Sequence, residues 1–408
     1  MILFYHAGGE RIKMKEGVRM RRLLAILLMA VLLCCTACDT RAEGTGTRLI
    51  ALNIGKADCL LLLFSDQAYL IDAGYDRTYG SLREALRQYG VTRLNGVFLT
   101  HCDKDHYGGL AQLAESGIAV DAWYAAAIYY DIPKNGHPME AAAALRGEAV
   151  TWLSAGDRLA LSDEATLTVL GPLTRNTENE NNNSLVFTVE TADGVLLFTG
   201  DMKLEEEAEL LAAGLFSAAD VLKVPFHGDN TASSLSFVDA VQPQAAVICT
   251  SAAEEPDTPA SSVVKRYARA GAVVAVTQDA TNAVRVTLQK GRVLVEDDGW
   301  DVPDYSGVVT AEVDLAEDLL TLRNGGKETI ALDGWIIYST RGEDCVVLPD
   351  GLTLPAGRSL TLGTRATGVQ ADVTLDNKRI WHKSKYDLCI VYDACGGVAA
   401  VTDNGMPE

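Results

Sequence analysis

The segment Thr100-His101-Cys102-Asp103-Lys104-Asp105-His106 places two imidazoles and two carboxylates within six residues, in the pattern His-x-Asp-x-Asp-His. The chain has six histidines in 408 residues, so two in so short a stretch is a marked concentration. Imidazole and carboxylate together suit zinc, manganese or iron(II). If the four side chains converge they can hold two adjacent ions. Paired ions favour hydrolysis, because they make hydroxide from water at neutral pH and neutralise charge on the attacked group. The competing reading is a polar loop that caps a helix. Cys102 alternates away from His101 and Asp103 and is not counted as a ligand. No serine nucleophile and no Gly-rich nucleotide loop accompanies the motif, so covalent catalysis and a bound cofactor nucleotide find no support.

The neighbouring sequence says what must hold the motif. Val97-Phe98-Leu99 before it reads as a buried strand, and Tyr107-Gly108-Gly109-Leu110 after it reads as a helix start. Upstream, apolar strands are expected at 49–54, 59–64 and 68–71, the last ending in Asp72-Ala73-Gly74, with helical spacing over 81–89. Downstream, a helix is expected over 110–115 and strands over 166–170, 185–189 and 195–199. The last two are joined by a turn at Ala192-Asp193-Gly194. A helix over 202–213, strands over 221–225 and 245–250 and a helix over 260–269 follow. Continuous apolar strands belong to sheets covered on both faces, and the pattern occurs in two halves. An α/β fold of αββα layers over residues 48–296 is the consequence. Residues 297–306 read as a linker, and helical spacing then disappears. Residues 307–408 are expected to form a second, all-β domain, consistent with a sandwich.

The formal net charge is −20. Residues 1–37 hold six Lys/Arg and two Asp/Glu, or +4, which leaves 29 minus 53, or −24, for the rest. An acidic body of this kind repels phosphodiesters at long range, so metal ions or a local basic patch must draw them in. The N-terminus has a basic stretch, Arg19, Arg21 and Arg22, then an apolar run over 23–33 that is short for a membrane span. With Cys34-Cys35-Thr36-Ala37-Cys38 behind it, it resembles a bacterial lipoprotein signal, with Cys38 the lipidated residue. An ordinary signal peptide (secretion) and an uncleaved anchor are the alternatives. Met20 is a natural start. The protein is therefore expected to be exported to the cell surface and held at the membrane through Cys38, with signal 1–38 and linker 39–47. The six cysteines after Cys38 lie far apart in apolar runs and read as buried free thiols, with a bridge among Cys345, Cys389 and Cys395 left open.

Several segments in order resemble one family. Leu52-Asn53-Ile54-Gly55-Lys56-Ala57-Asp58, Leu70-Ile71-Asp72-Ala73-Gly74 and the His101 motif are followed by Asn181-Asn182-Asn183-Ser184-Leu185, Leu197-Phe198-Thr199-Gly200-Asp201 and Leu222-Lys223-Val224-Pro225-Phe226-His227-Gly228. Together they resemble the metallo-β-lactamase superfamily, most closely the hydrolase domain of ComEC-type competence proteins. The resemblance implies two divalent ions, zinc or manganese. His101 and Asp103 would hold the first, Asp105, His106 and His227 the second, and Asp201 would bridge them. It also implies catalytic roles for Asp105, Asp201 and His227, and an orienting role for Asp72. One of Asn181, Asn183 and Ser184 would approach the first ion. The substrate it implies is nucleic acid or another phosphodiester.

Two histidines of that branch are missing: Phe226 replaces one, and the other is absent near Thr258. A hydrolase of another ester, phosphoester or lactam, or a catalytically weak surface binding protein, are the alternatives. Beyond residue 307, Ile330-x-Leu332-Asp333-Gly334-Trp335 and Leu354-Pro355-Ala356-Gly357 resemble the lamin-tail domain, which implies an immunoglobulin-like sandwich serving as a binding or positioning module. There, Lys378, Arg379, Trp381, Lys383 and Lys385 interleave basic and aromatic residues, as a patch for phosphates and bases would.

Overall fold

The computed structural model describes residues 46–407. The expected signal segment, with Met20 and Cys38, lies outside the described residues. Two sheets stack face to face. The first has eight strands in the order Arg292–Asp298, Ala283–Gln289, Thr47–Leu52, Cys59–Phe64, Gln67–Ala73, Gly96–Leu99, Trp123–Ala126 and Val150–Leu153. The second has seven, in the order Val273–Val276, Ala245–Ile248, Val221–Lys223, Gly194–Phe198, Val186–Thr191, Ala165–Gly171 and Arg158–Ser162.

The inner strands of each sheet are buried on both faces, which is why they read as unbroken apolar runs, while the edge strands Arg292–Asp298, Val273–Val276 and Arg158–Ser162 are partly exposed. Leu49, Leu60, Leu62 and Phe98 point inward and meet Leu167, Phe187, Leu196 and Phe198 of the second sheet. The alternate residues Ile50, Leu52, Leu61 and Leu70 point outward against Leu82 and Leu86 of helix Tyr79–Gln88 and Leu110 and Leu113 of helix Leu110–Glu115. On the far side, Val186, Leu197, Leu222 and Ile248 pack under Leu210, Phe237, Val263 and Tyr267 of helices Leu204–Ala212, Leu235–Val241 and Ser261–Arg269. The layers are α, β, β, α.

Parallel pairing controls where chemistry can sit. Gln67–Ala73, Gly96–Leu99, Trp123–Ala126 and Val150–Leu153 run parallel. So do Gly194–Phe198, Val221–Lys223 and Ala245–Ile248. The turns after Leu99, Phe198 and Lys223 therefore leave the carboxyl ends of their strands, where open α/β sheets gather ligands.

After Asp298 the described residues contain only strands and turns. Val309–Asp314, Leu319–Asn324, Ser359–Gly363 and Val373–Thr374 form one four-stranded sheet; Cys345–Val347, Ile336–Ser339, Leu388–Tyr392 and Val398–Asp403 form another. Leu320, Leu322, Leu362, Ile337, Trp335 and Val391 share one core between them. From Gly46 onward the chain is nonetheless one compact unit. The glycine at position 80 sits against the Gly396 turn, where an added Cβ would lie 2.6 Å from the Gly396 nitrogen. Arg83 donates to the Ala394 carbonyl at 2.6 Å.

Two expectations for this region are corrected. Trp381 is not available for stacking on bases: it is 1% exposed, inside the β-sandwich core. Arg379 pairs with the buried Asp318 at 3.4 Å, while Lys378, Lys383 and Lys385 are exposed. The segment lies between strands Val373–Thr374 and Leu388–Tyr392 and has no strand of its own; it lays the aromatic into the core and leaves the lysines in solvent. Trp381→Ala is expected to cost about 3 kcal/mol, the usual scale for a truncated core aromatic. Lys383→Ala and Lys385→Ala should each stay within about 0.5 kcal/mol. Thermal melts of the three variants check this. The bridge left open among Cys345, Cys389 and Cys395 is absent, and all three are free thiols.

Candidate metal centre

The His101 loop is fixed before any ion is considered. Asp72, at the end of strand Gln67–Ala73, is fully buried and has a left-handed backbone at φ +56°. Its Oδ1 accepts from the Thr100 amide and its Oδ2 from the Thr100 hydroxyl, both at 2.8 Å. The same Oδ2 lies 2.8 Å from His106 Nδ1. A carboxylate can only accept, so Nδ1 carries the proton and Nε2 faces away with its lone pair. His227 is fixed in the same way: its Nδ1 donates to the Cys249 carbonyl at 2.7 Å. Phe226 and His227 both turn through left-handed backbone, φ +48° and +52°, which swings the imidazole back under Asp201. Such conformations persist where the surroundings over-determine them.

These loops bring the predicted residues together. Asp201 Oδ2 lies 3.0 Å from His227 Nε2, 3.3 Å from His106 Nε2 and 3.9 Å from His101 Nε2. Asp105 Oδ2 is 3.3 Å from His227 Nε2 and 4.0 Å from His106 Nε2. On the other side His101 Nε2 is 3.5 Å from Asp103 Oδ2, whose side chain is 45% exposed. Asp105, His106, Asp201 and His227 offer ligand atoms within 4.8 Å of one another. The Nε2 atoms of His101, His106 and His227 are buried and have no hydrogen-bond partner. Buried polar atoms are rarely left so. Three unpaired imidazole nitrogens converging on carboxylates fit a divalent cation.

Without a cation the cluster balances charge with protons. Burial alone would lower the His227 pKa, but Asp201, Asp105 and Asp58 outweigh it and hold it up at about 9. His106 is raised for the same reason, by Asp201, Asp72 and Asp105 against burial. Asp201 and Asp105 are buried too, yet the neighbouring imidazoles keep both below the usual carboxylate range, with Lys223 helping at Asp201 and Lys56 at Asp105. The folded metal-free protein therefore binds more protons than the unfolded chain between the ordinary histidine value, about 6.5, and about 9. Its stability is full below that window and falls as pH rises through it. Metal binding must displace those protons, so affinity should climb over the same range. Melting curves of chelator-treated and metal-loaded protein from pH 6 to 9 should diverge; parallel curves would contradict it.

Other residues around the centre are held by contacts of their own. Ser184 Oγ accepts from the Asp201 amide at 3.0 Å and so steadies the turn that carries Asp201. Asn183 is tied to Asn176 and to Glu180 Oε2 at 2.9 Å. Cys102 is buried, and burial pushes its thiol up. His137 packs between Tyr129 and Trp152, where burial lowers its pKa to about 4. Phe226 lies under the Lys203 ammonium, 4.7 Å from the ring centre. The Thr258 hydroxyl is tied to Thr250 at 2.6 Å.

Three charged residues were not singled out by sequence reasoning. Lys223 is 1% exposed, pairs with Asp58, lies 3.4 Å from Asp201 Oδ1 and donates to the Gly200 carbonyl at 2.8 Å. Asp58 is fully buried behind the imidazoles, 3.6 Å from His227 Nδ1 and 3.8 Å from His106 Nδ1. Lys56 reaches Asp105 at 2.8 Å. The available signal was a charge inside an apolar strand, Val221-Leu222-Lys223-Val224.

Residues 53–252 match the Metallo-beta-lactamase superfamily. The chain is similar to the ComE operon protein 3 of Bacillus subtilis (strain 168), 29% identical over 215 residues, covering 48% of this chain and 27% of that protein. It is also similar to the Competence protein ComA of Neisseria gonorrhoeae, 27% identical over 271 residues, covering 65% of this chain and 36% of that protein. The chain spans well under half the length of these relatives. Among solved structures it resembles the MIM-2 Metallo-Beta-Lactamase at 20% identity and a TM-score of 0.31, covering 44% of this chain and 74% of that one. The αββα body with its His/Asp centre is therefore a ComEC-like domain of the metallo-beta-lactamase superfamily.

Proposed function

We propose that this domain is a metal-dependent phosphodiesterase, with nucleic acid foremost among its substrates. The observation that carries the reading is the set of three buried, unpartnered imidazole Nε2 atoms gathered around Asp201. His101 and Asp103 would hold one ion, Asp105, His106 and His227 a second, and Asp201 both; zinc and manganese suit these donors. Such a pair supplies a water activated at neutral pH and neutralises charge on the attacked group. The protein's own part is orientation. Asp72 and the Cys249 carbonyl lock two imidazoles in the ligating tautomer, and Asp105 stands where it can also orient the attacking water. Competence, the word in the name of the matched Neisseria gonorrhoeae relative, favours DNA among phosphodiesters.

A second reading, a hydrolase of slow turnover, has one specific support. Phe226 and Thr258 offer no proton to a leaving group: one is a hydrocarbon ring and the other's hydroxyl is already paired. Export and anchoring at Cys38 would place the enzyme on the cell surface. Among the described residues no helix is long and apolar enough to cross a membrane. The β-sandwich, lamin-tail-like by its motifs, would then position the catalytic body. The test is incubation of purified protein with DNA, RNA and bis(p-nitrophenyl) phosphate under manganese or zinc. Cleavage that stops on chelation is expected. No cleavage of any of the three with either metal would overturn the reading.

A further inference from the structure

Lys56 is the lysine at the centre that combines contact with a ligand carboxylate and access to solvent. Its ammonium is 2.8 Å from Asp105 Oδ2, and its side chain is 23% exposed. Lys223, the other lysine there, is 1% exposed and committed to Asp58, Asp201 and the Gly200 carbonyl. The turn that carries Lys56 is clamped. Gly55 takes φ +86°, and a Cβ there would lie 2.4 Å from Glu254 Oε1. Glu254 Oε2 accepts from the Lys56 amide at 3.1 Å. Arg77 holds Glu254 at 3.3 Å, with its guanidinium 3.7 Å over the Tyr75 ring and 5.1 Å from the Tyr338 ring of the β-sandwich. Lys56 is thus a cation on a braced turn, and only one of its three N–H donors is directed at Asp105. A preset positive charge beside a metal centre in an acidic protein suits a ligand oxygen that stays anionic throughout the reaction.

We propose that Lys56 binds a non-bridging oxygen of the substrate's phosphoryl group and makes the site prefer phosphodiesters over uncharged esters. This rests on the phosphodiesterase reading of the same site. The alternative is that Lys56 only neutralises Asp105.

The experiment uses the full metal-loaded chain, its Lys56→Gln and Lys56→Arg variants, and inorganic phosphate as the probe, with binding followed by calorimetry. Metal content by elemental analysis and the melting temperature accompany each variant. Lys56→Gln should keep its metal and fold while phosphate binds at least about tenfold more weakly, the scale of one lost charge-assisted hydrogen bond. Lys56→Arg should recover most of the affinity. Equal phosphate binding by wild type and Lys56→Gln, no phosphate binding by wild type, or loss of metal from Lys56→Gln overturns the proposal. Phosphate binding needs no turnover. Failure of all cleavage assays with this difference intact would sink the phosphodiesterase reading alone.

Discussion

Asp201→Ala is expected to lose bound metal and hydrolytic activity together. Asp201 Oδ2 lies within 4 Å of all three unpartnered imidazole nitrogens, at 3.0, 3.3 and 3.9 Å. Its carboxylate lies between two sets of candidate ligands, with Asp103 and His101 on one side and Asp105, His106 and His227 on the other. It is also held from behind, by Lys223 at Oδ1 and by Ser184 at the amide. A pair of ions stabilises the transition state by several kcal/mol. At about 1.4 kcal/mol per decade, the rate should fall on the order of a thousandfold or more. Asp201→Asn keeps the shape and one acceptor but loses the charge, and should fall nearly as far. Elemental analysis beside steady-state kinetics decides this. An alanine variant that keeps its metal and its rate would remove Asp201 from the centre.

How far the sequence could see follows from how local each feature is. His101, Asp103, Asp105 and His106 share one strand–loop–helix segment, so their spacing alone announced a metal site. Asp201 and His227 lie on two other loops and were placed only through resemblance to a family, because nothing local marks a Thr-Gly-Asp turn as a ligand. The layers were legible because the inner strands of both sheets are buried on both faces, which leaves long apolar runs. The interval 116–165 was not read: its strands Trp123–Ala126 and Val150–Leu153 are four residues each, and helix Pro138–Leu145 is alanine-rich with little amphipathic signal. Trp381 was misread because composition shows that aromatic and basic residues interleave but not which of them faces the core. Lys223 was quoted within a motif and given no role, although a strand covered on both faces has no solvent side for an ammonium. That conflict between a local residue and its surroundings is where supporting residues of a site are found.

Lys223 carries the second large expectation. Replacing it by methionine keeps the stem and removes the cation, which leaves Asp58 and Asp201 buried without it. Breaking a buried pair from one side commonly costs about 3–5 kcal/mol, because the stranded charge has no water to turn to. Lys223→Met should therefore move the urea midpoint of the metal-free protein far down. Removing the partner as well, in Asp58→Leu/Lys223→Met, should return a large part of that loss, since an apolar pair of similar size strands no charge at Asp58. Asp201 still lacks Lys223 in the double variant, so recovery should be incomplete until metal is added. A cation on Asp201 takes over the neutralising role, and a ligand that binds only the folded state stabilises it further. Metal should thus raise the midpoint of Lys223→Met more than that of the wild type. If Lys223→Met instead unfolds at the wild-type urea concentration without metal, the pair with Asp58 does not hold this end of the sandwich together, and the fixed position of Asp201 must come from Ser184 and the Gly200 turn.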